Sequence, residues 1–239
     1  MGKATRAAAE NSEEYKIVAG VDIAPAVDTV PIFADPFDVN VEVDAIIEFS
    51  HHSATPRLLE YAISKNIPVV VCTTGHTEEE TALIHEAAKK IPVFFSRNMS
   101  IGINLLIELA KKATALLGSD YDIEIVEKHH NKKLDAPSGT ALMIADEVSK
   151  VTPYDAEYVY ERQSRRMARE KNEIGISAVR GGTIVGEHDI MFCGKDEIIT
   201  ISHSAASRDV FATGALRAAA YLVGKPAGFY DMSSMISGK

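Results

Sequence analysis

The sequence predicts a two-lobed α/β protein, in which a parallel sheet is followed by an α+β lobe with a mixed open sheet. Through the first half of the chain, short β-branched runs alternate with helical stretches, the pattern of βα units. Near Tyr121 this texture gives way to alternating strands that are separated by glycine turns. The change in texture predicts two lobes.

Each predicted element of the first lobe has its own sequence pattern. The run IPVVVCT is nearly all apolar, as expected for a strand buried on both faces, and the segment after it is amphipathic. In order, we predict a helix at Thr5–Glu14, strands at Lys16–Asp22 and Val43–Ser50, a helix at Arg57–Lys65, a strand at Ile67–Thr73, a helix at Glu78–Lys90, a strand at Val93–Ser96 and a helix at Ile101–Leu117.

The second lobe begins with a segment, YDIEIVEKHH, whose alternation predicts a strand with one buried face. In order, we predict this strand at Tyr121–His130, a helix at Ser138–Val151, a mobile basic loop or short helix at Thr152–Lys171, three strands within Glu173–Ala205 and a closing helix at Asp209–Val223. We expect Ile174–Val179 and Ile184–Phe192 to pair as a hairpin. The closing helix should cover one face of this hairpin, and the second face, which is apolar, needs a partner.

Composition and charge exclude several classes of protein. The chain has 239 residues, of which 46% are hydrophobic and 25% charged, as is typical of a soluble globular protein. Its net charge of −9 opposes the phosphate backbone of nucleic acid, so no nucleic-acid partner is expected. No apolar run approaches the roughly 20 residues of a membrane span, and Met1–Glu14 lacks the apolar core of a signal peptide. Because Cys72 and Cys193 fit reduced thiols, we expect a cytoplasmic protein without a membrane partner.

Three predicted strands of the first lobe end in polar residues. They are followed by Asp22, by the turn Thr73-Thr74-Gly75 and by the segment Ser96-Arg97-Asn98. Doubly wound sheets bind ligands beyond the carboxyl ends of their strands, so these residues favour a dinucleotide site. An acidic residue in the position of Asp22 can hold the ribose hydroxyls, although a simple strand-ending turn would explain Asp22 alone equally well.

The glycine-rich turn that opens such a nucleotide fold has no counterpart in the sequence. A Rossmann unit begins with a strand and this turn before its first helix, whereas the chain already starts within that helix, at Met1-Gly2-Lys3. We therefore expect that the true start lies upstream or that the chain is truncated.

The densest group of reactive side chains lies in the segment 127–140 (EKHHNKKLDAPSGT). On the predicted strand, Glu127 and His129 share a face, and Ser138 is a suitable N-cap for the helix that follows. The free amides and the dipole of that helix start form an anion site, with Lys133 a few residues before it. An imidazole, an ammonium and a helix start suit a small dianionic substrate that is protonated during the reaction.

Other interpretations of the histidines and lysines stay open. The adjacent histidines could be surface residues, and the lysines could be a solvated charge run. His129, His130 and His188 could bind a metal, but no His-x-x-x-His or Cys-x-x-Cys spacing supports this, so we expect no metal site. Residues 51–52 and His76 fall in predicted cofactor-side loops, where ordinary surface positions would explain them as well.

Several motifs along the chain belong to one pattern. The most specific is EKHHNKKLDAPSGTA, and the others are VAGVD, CTTG, SRNMSIGIN, RGGTIVGEHDIMF and HSAASRDVFATGALRAA. Together they resemble the dihydrodipicolinate reductase family. The resemblance implies a Rossmann-type nucleotide lobe at 1–98, completed by 208–239, and a substrate-binding and oligomerisation lobe at 99–207. It also implies a homotetramer and the NAD(P)H-dependent reduction of 4-hydroxy-tetrahydrodipicolinate, a small dicarboxylate, in diaminopimelate and lysine biosynthesis.

The resemblance also implies roles for individual residues. His129 would be the catalytic proton donor or acceptor and Lys133 the proton donor. The implied substrate contacts are His130, Gly139 and Thr140, the last two through the helix start. The implied contacts to NADH or NADPH are Met1, which matches the last residue of the family's glycine-rich turn, Asp22, Cys72, where the family often has Gly, Thr73, Thr74, Ser96, Arg97, Asn98 and Met99.

Two further expectations concern the cofactor and the reaction. Asp22 is followed by Ile23, Ala24 and Pro25, without the basic residue that a 2′-phosphate requires, so NADH should serve at least as well as NADPH. One alternative function is a non-catalytic or nucleotide-binding-impaired truncated form of the same fold. A second is another nicotinamide-dependent dehydrogenase of an amino-dicarboxylate, such as an aspartate or homoserine dehydrogenase, against which the segment HHNKKLDAPSGT argues.

Overall fold

The structure is a computed structural model that describes residues 1–24 and 29–238 and divides into two compact units. The first unit comprises Met1–Ile101 with Asp209–Lys239, and the second comprises Gly102–Arg208. Two positions used in the sequence analysis, Pro25 in the turn after Asp22 and residue 239 at the end of a predicted lobe, lie outside the described residues. No helix in the described ranges is long and apolar enough to cross a membrane.

Helices and strands alternate along the first unit, and strands dominate the second. In chain order the elements are α1 (Gly2–Glu10), β1 (Gly20–Val21), β2 (Ile32–Phe33), β3 (Ile46–Glu48), α2 (Thr55–Lys65), β4 (Val69–Val71), α3 (Glu78–Ala88), β5 (Pro92–Phe95), α4 (Ile101–Leu117), β6 (Asp122–His129), α5 (Gly139–Ser149), β7 (Glu157–Val159), β8 (Glu173–Arg180), β9 (Gly186–Cys193), β10 (Ile198–Ala205), α6 (Asp209–Leu222), β11 (Gly228–Tyr230) and α7 (Met232–Ser237).

The first unit is a parallel sheet with helices on both faces. Its four main strands lie in the order β11-β5-β4-β3, and all their pairings are parallel. Val69 and Val71 on β4 pack in one apolar cluster with Ile84 of α3, whereas Val70 packs in another with Ala215 of α6. Successive side chains of a strand point to opposite faces, so the apolar run predicted as a strand buried on both sides is confirmed, as is the Rossmann-type α/β class.

The second unit is a mixed sheet covered on one face by two helices. Its strand order is β10-β9-β6-β8-β7, in which β6 runs parallel to β8 and antiparallel to β9. The core joins Ile123 and Ile125 of β6 to Leu106 of α4 and Ile144 of α5. Burial alternates along all of β6, as its sequence predicts.

The predicted hairpin of Ile174–Val179 and Ile184–Phe192 is wrong. The two strands are present as β8 and β9, but β6 lies between them and pairs with both. The glycine turn at Gly181-Gly182 is typical of two directly paired strands. Instead, the backbone hydrogen-bonding groups on the two edges of β6 are paired with β8 on one side and with β9 on the other. The closing helix α6 packs in the first unit, so the helices that cover the second sheet are α4 and α5.

Some predicted elements are shorter in the structure than expected, and some observed elements are absent from the prediction. The helix at Thr5–Glu14 spans Gly2–Glu10 instead, and the strand at Lys16–Asp22 is reduced to Gly20–Val21, which pair with Ile32–Phe33. A strand exists only where a neighbour accepts and donates its backbone hydrogen bonds, and here the ladder with β2 covers two residues. Sequence patterns of two or three residues are too short to predict a strand, which explains why β2, β7 and β11 are absent from the prediction; the six-residue helix α7 is absent from it as well.

The basic segment Thr152–Lys171 is neither a helix nor simply a loop. It contains β7, which extends the sheet beside β8. Its arginines are tied to carboxylates of the sheet: Arg162 bonds Glu173, Arg165 lies 3.0 Å from Glu157, and Arg169 lies 3.1 Å from Glu124. The run of positive charge therefore neutralises a cluster of acids within the same unit.

Candidate active site

The end of β6 carries the central pair of side chains, Glu127 and His129. Both face the buried side of the sheet because they are two residues apart on a strand. Glu127 Oε2 lies 2.6 Å from His129 Nδ1. A carboxylate only accepts, so Nδ1 donates and carries the proton, and Nε2 is the ring nitrogen at which a proton can be gained or lost.

Glu127 is fully buried and all its bonding capacity is used. Arg180 at the end of β8 donates to both of its oxygens, at 2.8 and 2.7 Å, and the backbone amide of Ser138 donates to Oε1 at 2.9 Å. Burial raises the pKa of this carboxyl, but the hydrogen bonds from Arg180, His129 and Ser138 outweigh it and leave the pKa lowered. Glu127 is therefore an ion at neutral pH.

The loop after β6 brings Lys133 and the start of α5 to the same end of the unit. Lys133 Nζ lies 2.8 Å from Asp135 Oδ1, and this contact lowers the pKa of the Asp135 carboxyl. Ser138 is the N-cap of α5, accepting from the Ala141 amide at 3.1 Å, as the sequence predicts. The first turn of α5 begins with the exposed Gly139 and the half-buried Thr140, and a helix start of this kind can bind an anion.

His188 on β9 lies beneath this site. Its Nε2 is 3.1 Å from Ser138 Oγ, and its ring packs edge-on against that of His129, with the ring centroids 5.3 Å apart. Burial, with a smaller contribution from the charge of His129, lowers the pKa of His188 to about 4. His188 is thus neutral at physiological pH and supports the helix start rather than exchanging protons.

The backbone of β9 leaves room for the His129 ring. A Cβ at Gly186 would lie 3.1 Å from Nε2 of His129, which is tighter than nearly all such contacts. A larger residue there would press on the nitrogen that is available for proton exchange. The half-buried His130 follows directly after the strand, with its carbonyl accepting from the Lys133 amide at 3.1 Å.

No cluster of three or more His, Cys, Asp or Glu side chains in the described ranges is arranged to hold a metal ion. Two of the three histidines considered as metal ligands, His129 and His188, make other contacts, as does His52 in the first unit. His129 and His188 bond Glu127 and Ser138, and His52 bonds Glu80 at 2.8 Å.

In the first unit, the loops after β3 and β4 form a pocket of about 240 Å³ at the carboxyl ends of the two strands. Cys72, Thr73 and Thr74 line one side of it and residues 49–52 the other. Burial and the nearby Glu48 raise the pKa of the Cys72 thiol well above its usual range, so this sulfur stays protonated.

Glu48 forms the base of this arrangement, and it was not among the predicted residues. Its carboxylate lies 2.7 Å from the Thr73 hydroxyl and accepts from the Ser50 amide at 3.0 Å. It therefore fixes the two loops against each other. The sequence signal was an acid between Ile47 and Phe49 in the apolar centre of a predicted strand, where a carboxylate is costly to bury unless it is hydrogen-bonded.

The remaining predicted cofactor residues of the first unit do not line this pocket among the described residues. Asp22 is exposed after β1, and its carboxylate accepts from the Ala24 amide at 2.9 Å. Met1 is the residue that caps the start of α1. The segment after β5 is ordered by its own contacts, since the Ser96 hydroxyl donates to the Asn98 carbonyl at 2.8 Å and Met99 is buried. Arg97, between them, is exposed.

Two family models match the chain. The model described as "Dihydrodipicolinate reductase, N-terminus" matches residues 1–99, and the one described as "Dihydrodipicolinate reductase, C-terminus" matches residues 102–236. A protein of Caldanaerobacter subterraneus subsp. tengcongensis named 4-hydroxy-tetrahydrodipicolinate reductase is 52% identical over 236 residues, covering 99% of this chain and 94% of its own. A protein of Clostridium tetani with the same name is 47% identical over 238 residues, covering 99% and 93%.

Solved structures agree with these matches. The dipicolinate-bound dihydrodipicolinate reductase from Paenisporosarcina sp. TG-14 is similar with a TM-score of 0.81 and 25% identity, over 96% of this chain and 92% of that one. The WlbA dehydrogenase from Bordetella pertussis, solved with NADH and UDP-GlcNAcA, has a TM-score of 0.62 at 14% identity over 94% and 86% of the two chains, a likeness of fold alone. Relatives with about 50% sequence identity over nearly the whole chain assign it to the same family. The chain belongs to the dihydrodipicolinate reductase family of oxidoreductases.

Proposed function

We propose that the protein is an NAD(P)H-dependent 4-hydroxy-tetrahydrodipicolinate reductase of diaminopimelate and lysine biosynthesis. The main support for the proposal is the hydrogen bond from His129 Nδ1 to Glu127, because it leaves Nε2 as the ring nitrogen that can exchange a proton. This nitrogen belongs to the same unit as the helix start to which we assign anion binding. The dipicolinate named in the Paenisporosarcina structure is a planar dicarboxylate of the proposed substrate class.

In the second unit, the chain's own residues supply binding and protons. The amides of Gly139 and Thr140 at the start of α5 would hold one substrate carboxylate, as helix N-termini hold anions. His130 would contact the substrate beside them. Reduction of the ring by hydride requires one proton in addition, which Lys133 or His129 would deliver, and the Asp135 contact keeps the Lys133 ammonium near the helix start.

In the first unit, the carboxyl ends of β3 and β4 fit a nicotinamide nucleotide. Their pocket lies where doubly wound sheets bind such ligands. We assign Cys72, Thr73 and Thr74, together with the segment 96–99, to the nicotinamide side, and Met1 to the side of the pyrophosphate. The reduced nicotinamide supplies a hydride when it is bound. The protein's part is to orient it, which the Glu48 contacts to Thr73 and Ser50 support.

The preferred nucleotide follows from charge. The Asp22 carboxylate can accept from the 2′- and 3′-hydroxyls of NADH and repels the 2′-phosphate of NADPH. We expect NADH to bind at least as tightly as NADPH in calorimetric titrations. NADPH binding more than about tenfold tighter, a difference of about 1.4 kcal/mol, would contradict this assignment.

The reaction is tested with His129→Ala and Lys133→Ala. Each variant should lose about 10²–10⁴-fold in kcat, the usual contribution of a positioned proton donor, while its circular dichroism stays unchanged. Lys132→Ala is the matched control, because this exposed neighbour has the same charge and no assigned role. Near wild-type turnover in either catalytic variant would remove that residue from the mechanism, and lack of reductase activity in the wild type would refute the function.

We also propose a cytoplasmic homotetramer. The sheet face of the second unit opposite α4 and α5 exposes apolar side chains, including Val179 and Ile198, and exposed apolar patches of a sheet are usual sites of subunit contact. Light scattering should give four times the 25.9 kDa mass of the chain. A single 25.9 kDa species at micromolar concentration would refute the tetramer, and recovery outside the cytosolic fraction would refute the location.

A further inference from the structure

Arg180 connects the two residues to which proton transfer is assigned. Its Nη2 donates to Glu127 Oε1 at 2.7 Å and also to the backbone carbonyl of Asp135 at 2.7 Å. Asp135 holds the Lys133 ammonium through its side chain, and Glu127 holds His129. The ion pair of Glu127 and Arg180 therefore contacts His129 directly and Lys133 through Asp135.

Resting on the proposed function, we propose that Glu127 and Arg180 are positioning residues for proton transfer. Glu127 fixes the His129 ring with its proton on Nδ1, so that Nε2 faces the substrate side. Arg180 fixes Glu127 through two parallel bonds and fixes the loop of Lys133 through the Asp135 carbonyl. Neither residue needs to touch the substrate.

The alternative is that this ion pair only stabilises the sheet. A second buried carboxylate in the same unit shows what that role looks like: Glu173, on the same strand as Arg180, is bonded by Arg162 and Arg165. It has the same chemistry and comparable burial, but within the described ranges its side-chain partners are arginines and not a histidine. Glu173 therefore provides a matched control for the loss of a buried, arginine-bound carboxylate.

A pH profile of kcat/KM distinguishes a positioning role of the ion pair from a purely stabilising one. Several charged groups surround His129, but Glu127 is the carboxylate that is hydrogen-bonded to its ring. Those facing it are Glu127 on its own strand, Arg180 on β8, His188 on β9, His203 on β10 in register with His188, and Lys133 and Asp135 in the following loop. The Glu127 carboxylate is in contact with a proton donor, and such a contact affects the pH dependence of the reaction. Its removal should move the basic limb of kcat/KM to lower pH.

Glu127→Gln tests the carboxylate directly. The amide keeps the shape but has one acceptor oxygen. If this oxygen faces His129, the NH₂ opposes the Ser138 amide and Arg180. If it faces Ser138, the NH₂ opposes the Nδ1 proton and Arg180. Either orientation disrupts the arrangement. We expect kcat/KM to fall by about 10²–10⁴-fold and its basic limb to move to lower pH.

Arg180→Lys tests the second half of the proposal and is the variant to use if Glu127→Gln does not fold. Lysine keeps the positive charge but cannot bond two carboxylate oxygens and a carbonyl in one plane. We expect kcat to fall by about 10-fold, with the basic limb within about half a pH unit of the wild type because the carboxylate charge persists. Glu173→Gln should lower the unfolding free energy but leave both kcat and the pH profile unchanged.

The outcomes distinguish this proposal from the proposed function. If His129→Ala abolishes turnover while Glu127→Gln, or Arg180→Lys in its place, keeps kcat within about threefold and the limb unmoved, the positioning role is refuted and the reductase function stands. If Glu173→Gln moves the limb as Glu127→Gln does, the effect is structural and the positioning role is likewise refuted. If His129→Ala retains full turnover, the proposed mechanism itself fails.

Discussion

Replacement of Gly214 by alanine sets two opposing effects against each other. Gly214 lies in the middle of α6 and is buried against the chain that follows β5. An added Cβ would lie 1.7 Å from the backbone oxygen of Met99 and 2.9 Å from its carbonyl carbon. On helix propensity alone, Gly→Ala in a helix interior would stabilise the protein by about 1 kcal/mol.

The steric effect is the larger one. Reaching an ordinary contact requires the helix and the Met99 backbone to separate by about 1.7 Å, and a backbone oxygen cannot rotate out of the way. Overpacking a well-filled core costs about 1–3 kcal/mol, and a backbone clash belongs at the upper end of that range. After subtraction of the propensity gain, we expect Gly214→Ala to lower the unfolding free energy by about 2 kcal/mol, or Tm by roughly 4–8 °C.

Urea unfolding followed by circular dichroism measures this difference. Gly2→Ala in α1 is the control, since nothing lies within 4 Å of the position where its Cβ would be, and its stability should be unchanged or slightly raised. Because Met99 belongs to the segment assigned to the nicotinamide, NADH affinity should also fall in Gly214→Ala and not in Gly2→Ala. A Gly214→Ala protein as stable as the wild type, or more stable, would refute the steric argument.

Three further outcomes are expected from the second unit. Burial lowers the pKa of His188 from the ordinary 6.5 to about 4, so between these pH values the unfolded chain binds a proton that the folded protein does not. The unfolding free energy should therefore fall by about 3 kcal/mol as the pH drops from 6.5 to 4. His188→Gln should remove that part of the pH dependence in urea titrations, and the same pH dependence in the variant and the wild type would contradict this prediction. Ser138→Ala removes the N-cap and leaves His188 Nε2 without its partner, so it should destabilise by about 2 kcal/mol, and an unchanged urea midpoint would argue against this. Thr140→Val should raise KM and weaken pyridine-2,6-dicarboxylate by roughly tenfold or more with little change in kcat; unchanged inhibitor affinity in calorimetry would place the carboxylate elsewhere.

The local arrangement around β6 could be predicted from the sequence because it follows from periodicity. Alternation put Glu127 and His129 on one face, and a serine before a helical pattern identified the N-cap. Both signals depend on neighbours a few residues apart in the chain.

Arg180 and His188 could not be assigned in the same way, because their roles depend on strand order. Arg180 lies opposite His129 in the β6–β8 ladder, and His188 lies opposite Glu127 in the β6–β9 ladder. The hairpin predicted for β8 and β9 placed neither of them beside β6. Once β6 is known to be the central strand, both contacts follow directly.

The interruption of the first unit by the second has a consequence for the order in which the chain folds during synthesis. The second unit is one continuous stretch and takes roughly 5–20 s to synthesise. Throughout that time the first parallel sheet has neither β11 beside β5 nor α6 over Val70 and Phe94, since both elements come later in the chain. The usual N-terminal-first order is therefore reversed: the second unit can be complete while the first still exposes one apolar face. Ribosome-arrested chains in which an unstructured linker follows residue 208, so that the whole second unit has left the exit tunnel, should show protease resistance in the second unit and cleavage in the first, and equal resistance of both would contradict this order.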